Sequence, residues 1–284
     1  RLKRVLDEME VPLHVLSPES KLQAMSTFDP LDEITEIEPF LDSFNKWKFL
    51  LDDENSTDEM VFQNTKELFE QGRDFFIVVL YNSTKEELSK LLRCAKESGI
   101  LSSHWDIISS AFEYCIGGNA MVLKYDMTRY FDALIILLNS IYSDITLLNR
   151  FANLMHSLRP LLMPAFTFSW IELITDRHLV YGLIGAHEKH DWVAMGTLLA
   201  DYVVTLAYTA DTSPREIFDL IYKSILRFVL VLTHDFPEFV VTVVPEICTI
   251  LPSNFTQIRN ILLSAYPPEI QLIPISKAIT ALDK

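Results

Sequence analysis

The segment from Ser213 to Tyr266 constrains the fold more than any other, because helical repeats fill it and prolines divide it, leaving no room for a strand. Ser213-Pro214-Arg215-Glu216 reads as a helix start. The serine hydroxyl can accept from an early backbone amide, the proline suits the first helical position, and the carboxylate can reach back. Ile217, Leu220, Ile221, Ile225, Phe228, Val229 and Leu232 then recur at the spacing of one helix side, while Leu226, Leu230 and Val231 fall on the other. A helix apolar nearly all round needs cover on both faces, so this one is expected between neighbouring helices. Pro237 disfavours helical geometry at Phe236, so His234-Asp235-Phe236-Pro237 closes it. Phe239 to Leu251 reads as the next helix. After the break at Pro252-Ser253-Asn254, Asn254 and Gln257 form the expected capping pair of a third, which ends at Tyr266 before Pro267-Pro268.

The same pattern extends upstream. Ile34, Ile37, Leu41, Phe44, Trp47 and Leu51 place a helix over Leu31–Leu51 despite Pro39, and Asp52–Asp58 is an exposed loop before a helix over Glu59–Gln71. Phe75–Tyr81 (FFIVVLY) has the β-branched and aromatic content of a strand, but no partner strand lies nearby, so it is read as helix. Ser83-Thr84-Lys85-Glu86-Glu87 offers two overlapping capping boxes for a helix that runs to about Ser98, with Gly99 at its stop. Ser102 or Ser103 is the cap expected for the following helix, and Gly117-Gly118-Asn119 is read as a turn. Helices then follow over Met121–Ile141, Asp144–Leu158, Ala165–Asp176, His178–Lys189 and Trp192–Ala207. Residues 1–30, with Pro12, Pro18 and Pro30, suggest one or two short helices. About a dozen helices on short links, without a strict repeat period, predict an all-α fold: an irregular HEAT-like stack of antiparallel helix pairs, an α-solenoid, treated as one domain over 1–284. A boundary near 149–164 is conceivable, but no Gly/Ser linker supports it.

Composition narrows the function. Only 7 glycines occur in 284 residues, which disfavours folds built on phosphate loops and sharp turns. A formal net charge of -15 argues against a general nucleic-acid surface, so no direct nucleic-acid partner is expected. Cys94, Cys115 and Cys248 form no C-x-x-C pair and read as reduced, buried thiols. No uninterrupted apolar run reaches the about 18 residues of a bilayer-crossing helix, so no membrane partner is expected. His187-Glu188-Lys189-His190-Asp191 is the one cluster of candidate metal ligands, yet it lacks the H-E-x-x-H spacing and reads as an exposed helix end. His234-Asp235 invites a general-base reading, but adjacent helical side chains diverge, so direct pairing looks awkward and a structural role is favoured. No nucleophile motif is legible, and no enzymatic activity, cofactor or metal is expected. Among the aromatics, Phe166, Phe168, Trp170, Trp192, Tyr222, Phe236, Phe239 and Tyr266 belong mainly to a core, with some available to line a groove between helix pairs.

Two runs, LRFVLVLTHDFPEFV at Leu226–Val240 and ILPSNFTQIRNILLSAYPPEIQL at Ile250–Leu272, resemble the C-terminal domain of the Not-one scaffold family of the eukaryotic CCR-four/NOT deadenylase complex. LRPLLMPAFTFSWIELITDRH at Leu158–His178 adds a third match, so the resemblance covers 158–273. Ser224 in place of an expected glycine, and the lack of aromatics in Val240–Pro245, mark a divergent member. The resemblance implies the same helical architecture and a non-catalytic scaffold that docks the NOT-box subunits Not-two and Not-three/five. It further implies a role in mRNA deadenylation, decay and translational repression, with RNA-binding adaptor proteins as further partners and a cytoplasmic location that extends to the nucleus. Another HEAT-like adaptor, for translation or transport factors, is the alternative. The residues expected at the partner contact are Tyr222, Phe236, Pro237, Phe239, Arg259 and Asn260. Arg259 is also suited to holding a carbonyl of a neighbouring loop.

Overall fold

The computed structural model describes residues 29–53, 55–119, 127–185 and 192–266. These form α1 (Glu38–Asp52), α2 (Asp58–Glu70), α3 (Arg73–Asn82), α4 (Lys85–Glu97), the single turn α5 (Ile100–Ser103), α6 (Trp105–Asn119), α7 (Thr128–Ile141) and α8 (Ile145–Ser157). A 3-10 turn at Pro164–Phe166 leads into α9 (Thr167–Ile174), α10 (Arg177–Ile184), α11 (Trp192–Thr212), α12 (Arg215–Asp235), α13 (Pro237–Ile250) and α14 (Thr256–Leu263). No strand occurs among the described residues, and the fold is all-α. The contacts gather into two compact units, one up to Thr205 and one from Leu206. That division falls inside α11, away from the 149–164 stretch that the sequence left open as a boundary.

In the first unit, helices that are separated along the chain sit side by side. α1, α3, α6 and α8 neighbour one another in succession, and α2, α4, α7 and then α9 and α10 do the same. This is the irregular HEAT-like stacking expected from the periodicity. At its centre is α3, where strand composition yields to a helical fit. Phe75, Phe76, Ile77, Val78, Val79 and Leu80 are all buried, because α1, α2, α6 and α7 cover it on every side. Tertiary burial on this scale, about 1.5–3 kcal/mol per fully buried large side chain, outweighs a local propensity difference of a few tenths per residue. Gly72, at φ 88, turns the chain into α3.

The α4 start is built as the sequence predicts. The Thr84 hydroxyl accepts from the Glu87 amide at 3.2 Å, and the Glu87 carboxylate accepts from the Thr84 amide at 2.8 Å. That backbone bond, with Lys48 at 3.1 Å, lowers the Glu87 pKa. Gly99 adopts φ 74 after the last turn, as expected of a stop glycine.

Other boundaries shift. Helix α1 begins at Glu38 instead of Leu31, because Pro39 fits only the first turn and disfavours helical geometry before it. Gly117 and Gly118 continue α6 and form no turn. A Cβ at Gly117 would sit 3.4 Å from the Met163 methyl, so the small residue admits a close side chain and does not break the helix. The Ser103 hydroxyl turns back to the Ile100 carbonyl at 3.1 Å. The Ser213 cap is not formed: α12 starts at Arg215 behind extended Pro214, and the Ser213 amide closes the preceding helix on Thr209 O at 3.1 Å. Asn254 and Gln257 likewise make no cap for α14, whose preceding residue is Phe255.

Helix α11 bears on the membrane argument. At 21 residues it is long and apolar enough to cross a bilayer by length and composition, and 61% of its most apolar window is buried inside the protein. The count of uninterrupted apolar runs missed it because Gly196, Thr197, Asp201 and Thr205 interrupt the run. The three cysteines are free: Cys115 is buried, and desolvation pushes its thiol up to about 12, whereas Cys94 and Cys248 are half-buried instead of fully covered.

Candidate partner-binding surface

The second unit presents its functional candidates on α12, α13 and α14, which pack against one another. Ile221, Ile225, Phe228, Val229 and Leu232 bury the inner side of α12, and Val240, Val243, Val244 and Ile247 of α13 and Ile258 and Leu262 of α14 are buried with them. Where α12 nears the start of α14, Phe218, Tyr222 and Phe255 bring their rings within 5.8–6.2 Å of one another. The Tyr222 hydroxyl donates to Gln257 Oε1 at 3.0 Å. Gln257 therefore serves a tertiary bond in place of the capping bond expected of it. Arg259 donates from Nη2 to Leu251 O at 2.7 Å, fastening the turn between α13 and α14, which is the loop carbonyl that its sequence position suggested.

The outer side of α12 differs from the sequence expectation. Leu220 is 57% exposed, Leu230 49% and Val231 47%, so the helix is covered on one face and open on the other. Lys223, Arg227 and His234 lie at three- and four-residue spacing among them and are exposed too. Their placement was the available signal: three ionisable groups on one helix side mark that side as wet, even when leucine and valine share it.

The six residues expected at a partner contact are not one patch. Tyr222 and Arg259 are half-buried and tied to their own unit, and Asn260 is exposed beside Arg259. At the joint of α12 and α13, Phe236 is half-buried, Pro237 is exposed as the first residue of α13, and Phe239 is a core side chain at 1% exposure. Among the other aromatics, Phe166, Trp170 and Trp192 are core, while Phe168 is exposed. Leu220, Leu230 and Val231 were missed as surface candidates.

His234 and Asp235 do pair, contrary to the argument from helix geometry: Nδ1 lies 2.7 Å from Oδ1. Asp235 is the last residue of α12, and at this helix end the adjacent side chains meet. The His234 side chain is almost wholly in water, which suits a surface contact and not a shielded base. A second His and Asp pair went unnoticed because 45 positions separate its members. In the first unit His156 Nδ1 lies 2.6 Å from Asp201 Oδ2, and the Asp201 side chain is fully buried. Desolvation raises the Asp201 pKa, with His156 and then Arg159 pulling it back. Arg159 also donates to the His156 carbonyl at 2.9 Å, so these groups tie the end of α8 to α11. No group of three or more candidate metal ligands occurs among the described residues, and the 187–191 cluster lies outside them.

Comparison with known proteins extends the resemblance beyond 158–273. The profile of the family described as CCR4-Not complex component, Not1, matches residues 137–283, just over half of the chain. The chain is 30% identical over 125 residues to the General negative regulator of transcription subunit 1 of Saccharomyces cerevisiae, across 44% of this chain and 6% of that protein. It is 32% identical over 136 residues to the CCR4-NOT transcription complex subunit let-711 of Caenorhabditis elegans, across 45% and 5% respectively. The chain thus spans only about one-twentieth of the length of these relatives. In fold it is similar to the NOT1 superfamily homology domain from Chaetomium thermophilum, with a TM-score of 0.66 at 19% identity over 84% of this chain and 55% of that one. A Not1 C-terminal domain in complex with Not4 matches with a TM-score of 0.65 at 19% identity over 84% and 57%. The helical stack, the sequence runs and the family profile agree, and the chain belongs to the Not1 family of CCR4-Not complex components.

Proposed function

We propose that this chain is a non-catalytic protein-interaction scaffold of the CCR4-Not complex, docking the NOT-box subunits Not-two and Not-three/five in support of mRNA deadenylation, decay and translational repression. The observation that carries the reading is the open outer face of α12, with Leu220, Leu230 and Val231 exposed on a helix whose other face is core. Covering these three side chains contributes about 1 kcal/mol each, at about half the value of a full burial, and a partner segment gains that energy on a helix already held rigid. The solved complex of a similar Not1 C-terminal domain with Not4 supports subunit docking on this fold. RNA-binding adaptors are further partners for the same surface, in the cytoplasm and the nucleus. Tyr222, Phe236, Pro237, Arg259 and Asn260 remain proposed contacts, together with the α12 face.

Affinity capture with the tagged chain from a eukaryotic extract tests the proposal. Recovery of the NOT-box subunits, reduced by Leu230→Glu with Val231→Glu, is the expected result. Recovery of translation or transport factors without those subunits favours the alternative adaptor role.

A further inference from the structure

Helix α4 carries Lys85, Ser89, Arg93 and Lys96 at steps of four, four and three, so they share one side of the helix. Helix α7 answers with Arg129, Asp132, Ile136 and Asn139 at steps of three, four and three. The two helices pack together in the first unit, and these sides line a furrow along their seam. It comprises two depressions, of about 490 and 380 Å³, that meet at Ile136.

The charges in this furrow run against those of the chain. Lys85, Arg93, Lys96 and Arg129 line it, against Asp132 and Glu97, in a chain of net charge -15. Asp132 is already spent on Lys85, whose Nζ lies 2.7 Å away. Arg129 is fixed by the carbonyls of Leu80 and Tyr81, with its guanidinium 5.0 Å from the Tyr81 ring centre. Its charge therefore stays in place with no ion pair among the described residues. At the other end Lys96 donates to Ser143 Oγ at 2.9 Å and lies 5.9 Å from the Tyr142 ring centre, neutral partners that leave it without an ion pair among the described residues. Arg93 is exposed there, with no hydrogen bond or ion pair among the described residues. Ser89, Asn139 and Ser140 add neutral polar groups to the same depression.

We propose that the furrow between α4 and α7 binds a short acidic peptide segment of a partner protein, with Arg93 and Lys96 as the principal contacts for its carboxylates. Charge complementarity selects the occupant: two cations one helical turn apart, neither in an ion pair among the described residues and together outnumbering Glu97 in their depression, match carboxylates on a peptide a few residues long. A nucleic acid fits less well, because its phosphates recur without interruption and would run from the furrow onto an acidic exterior. Most of the furrow precedes residue 137, where the match to the family profile begins, so this site does not depend on the proposed docking of NOT-box subunits.

The test is fluorescence anisotropy on the whole chain with a labelled peptide of about twelve residues in which aspartate and glutamate alternate with serine. Controls are the same peptide with asparagine and glutamine replacing the acids, and a labelled oligouridylate. The acidic peptide should bind more tightly than both, with affinity falling as salt rises. Arg93→Glu and Lys96→Glu should each weaken it about fivefold. Lys90→Glu should leave it unchanged, because Lys90 lines a different depression, beside Trp47 and Leu51. Circular dichroism of each variant checks that the helices persist. Equal binding of the acidic and amide peptides overturns the proposal, as does insensitivity to Arg93→Glu, an equal loss with Lys90→Glu, or preference for the oligouridylate.

Discussion

Helices α3 and α12 start from the same kind of sequence and end in opposite environments. Helix α12 reads as apolar nearly all round, Phe75–Tyr81 of α3 is apolar without a break, and the same rule requires each to be covered on every side. For α3 that holds, with six consecutive side chains buried. For α12 it fails, with Leu220, Leu230 and Val231 open to water. The difference lies in the residues between the apolar ones. From Phe75 to Leu80 no polar residue interrupts α3, whereas α12 places Lys223, Arg227 and His234 among its outer leucines and valine. Apolar content alone does not separate a core helix from one that offers a face to a partner; the phase of the charges does.

The comparison breaks first if α3 is not the keystone it looks to be. Phe76→Ala should cost about 3–5 kcal/mol in urea unfolding, since the site is enclosed and cannot collapse. A loss below about 1 kcal/mol would mean that α3 is as loosely held as a surface helix.

A second contrast sets the buried His156 and Asp201 pair against the exposed His234 and Asp235 pair. Burial raises the folded-state pKa of Asp201 above its unfolded value. Between those two values the native state binds more protons than the unfolded chain, so this group makes stability fall as pH rises through the window and level off above it. Asp201→Asn should flatten that part of the pH profile, which urea midpoints measured from the acid range upward check.

Capping gives a smaller effect. Thr84→Ala removes the hydroxyl that accepts from Glu87 and should cost about 1 kcal/mol, whereas Ser213→Ala should cost nothing measurable, because Ser213 makes no cap. The smallest effect sharpens the opening contrast most. Leu230→Ala should change stability by less than about 0.5 kcal/mol, as for other surface positions, while reducing capture of NOT-box subunits. A loss comparable to that of Phe76→Ala would show that the outer face of α12 is core after all.

Legibility followed the range of the forces involved. The Thr84 and Glu87 box, the stop at Gly99 and the helical state of Phe75–Tyr81 were readable because neighbouring residues or an absent strand partner decide them. The start of α1 was misplaced because spacing continued through Pro39, although backbone sterics did not. Gly117 was read as a turn because its packing partner, Met163, lies far along the chain. Of the expected contact residues, Phe239 was drawn to the core and Arg259 to the Leu251 carbonyl, both decided by three-dimensional neighbours. The outer face of α12 was hidden by counting apolar positions without weighing the ionisable ones between them.

The uniformity of α3 also bears on how the chain finds its register. Rotating such a rod by one residue, about 100°, would present another set of equally greasy side chains to the same neighbours, so hydrophobicity cannot tell right from wrong. Orientation must then come from shape and from the ends, where Gly72 in its left-handed bend precedes the rod and the Thr84 box begins the next. Small local features thus supply the directional information that the most deeply buried part of the molecule lacks.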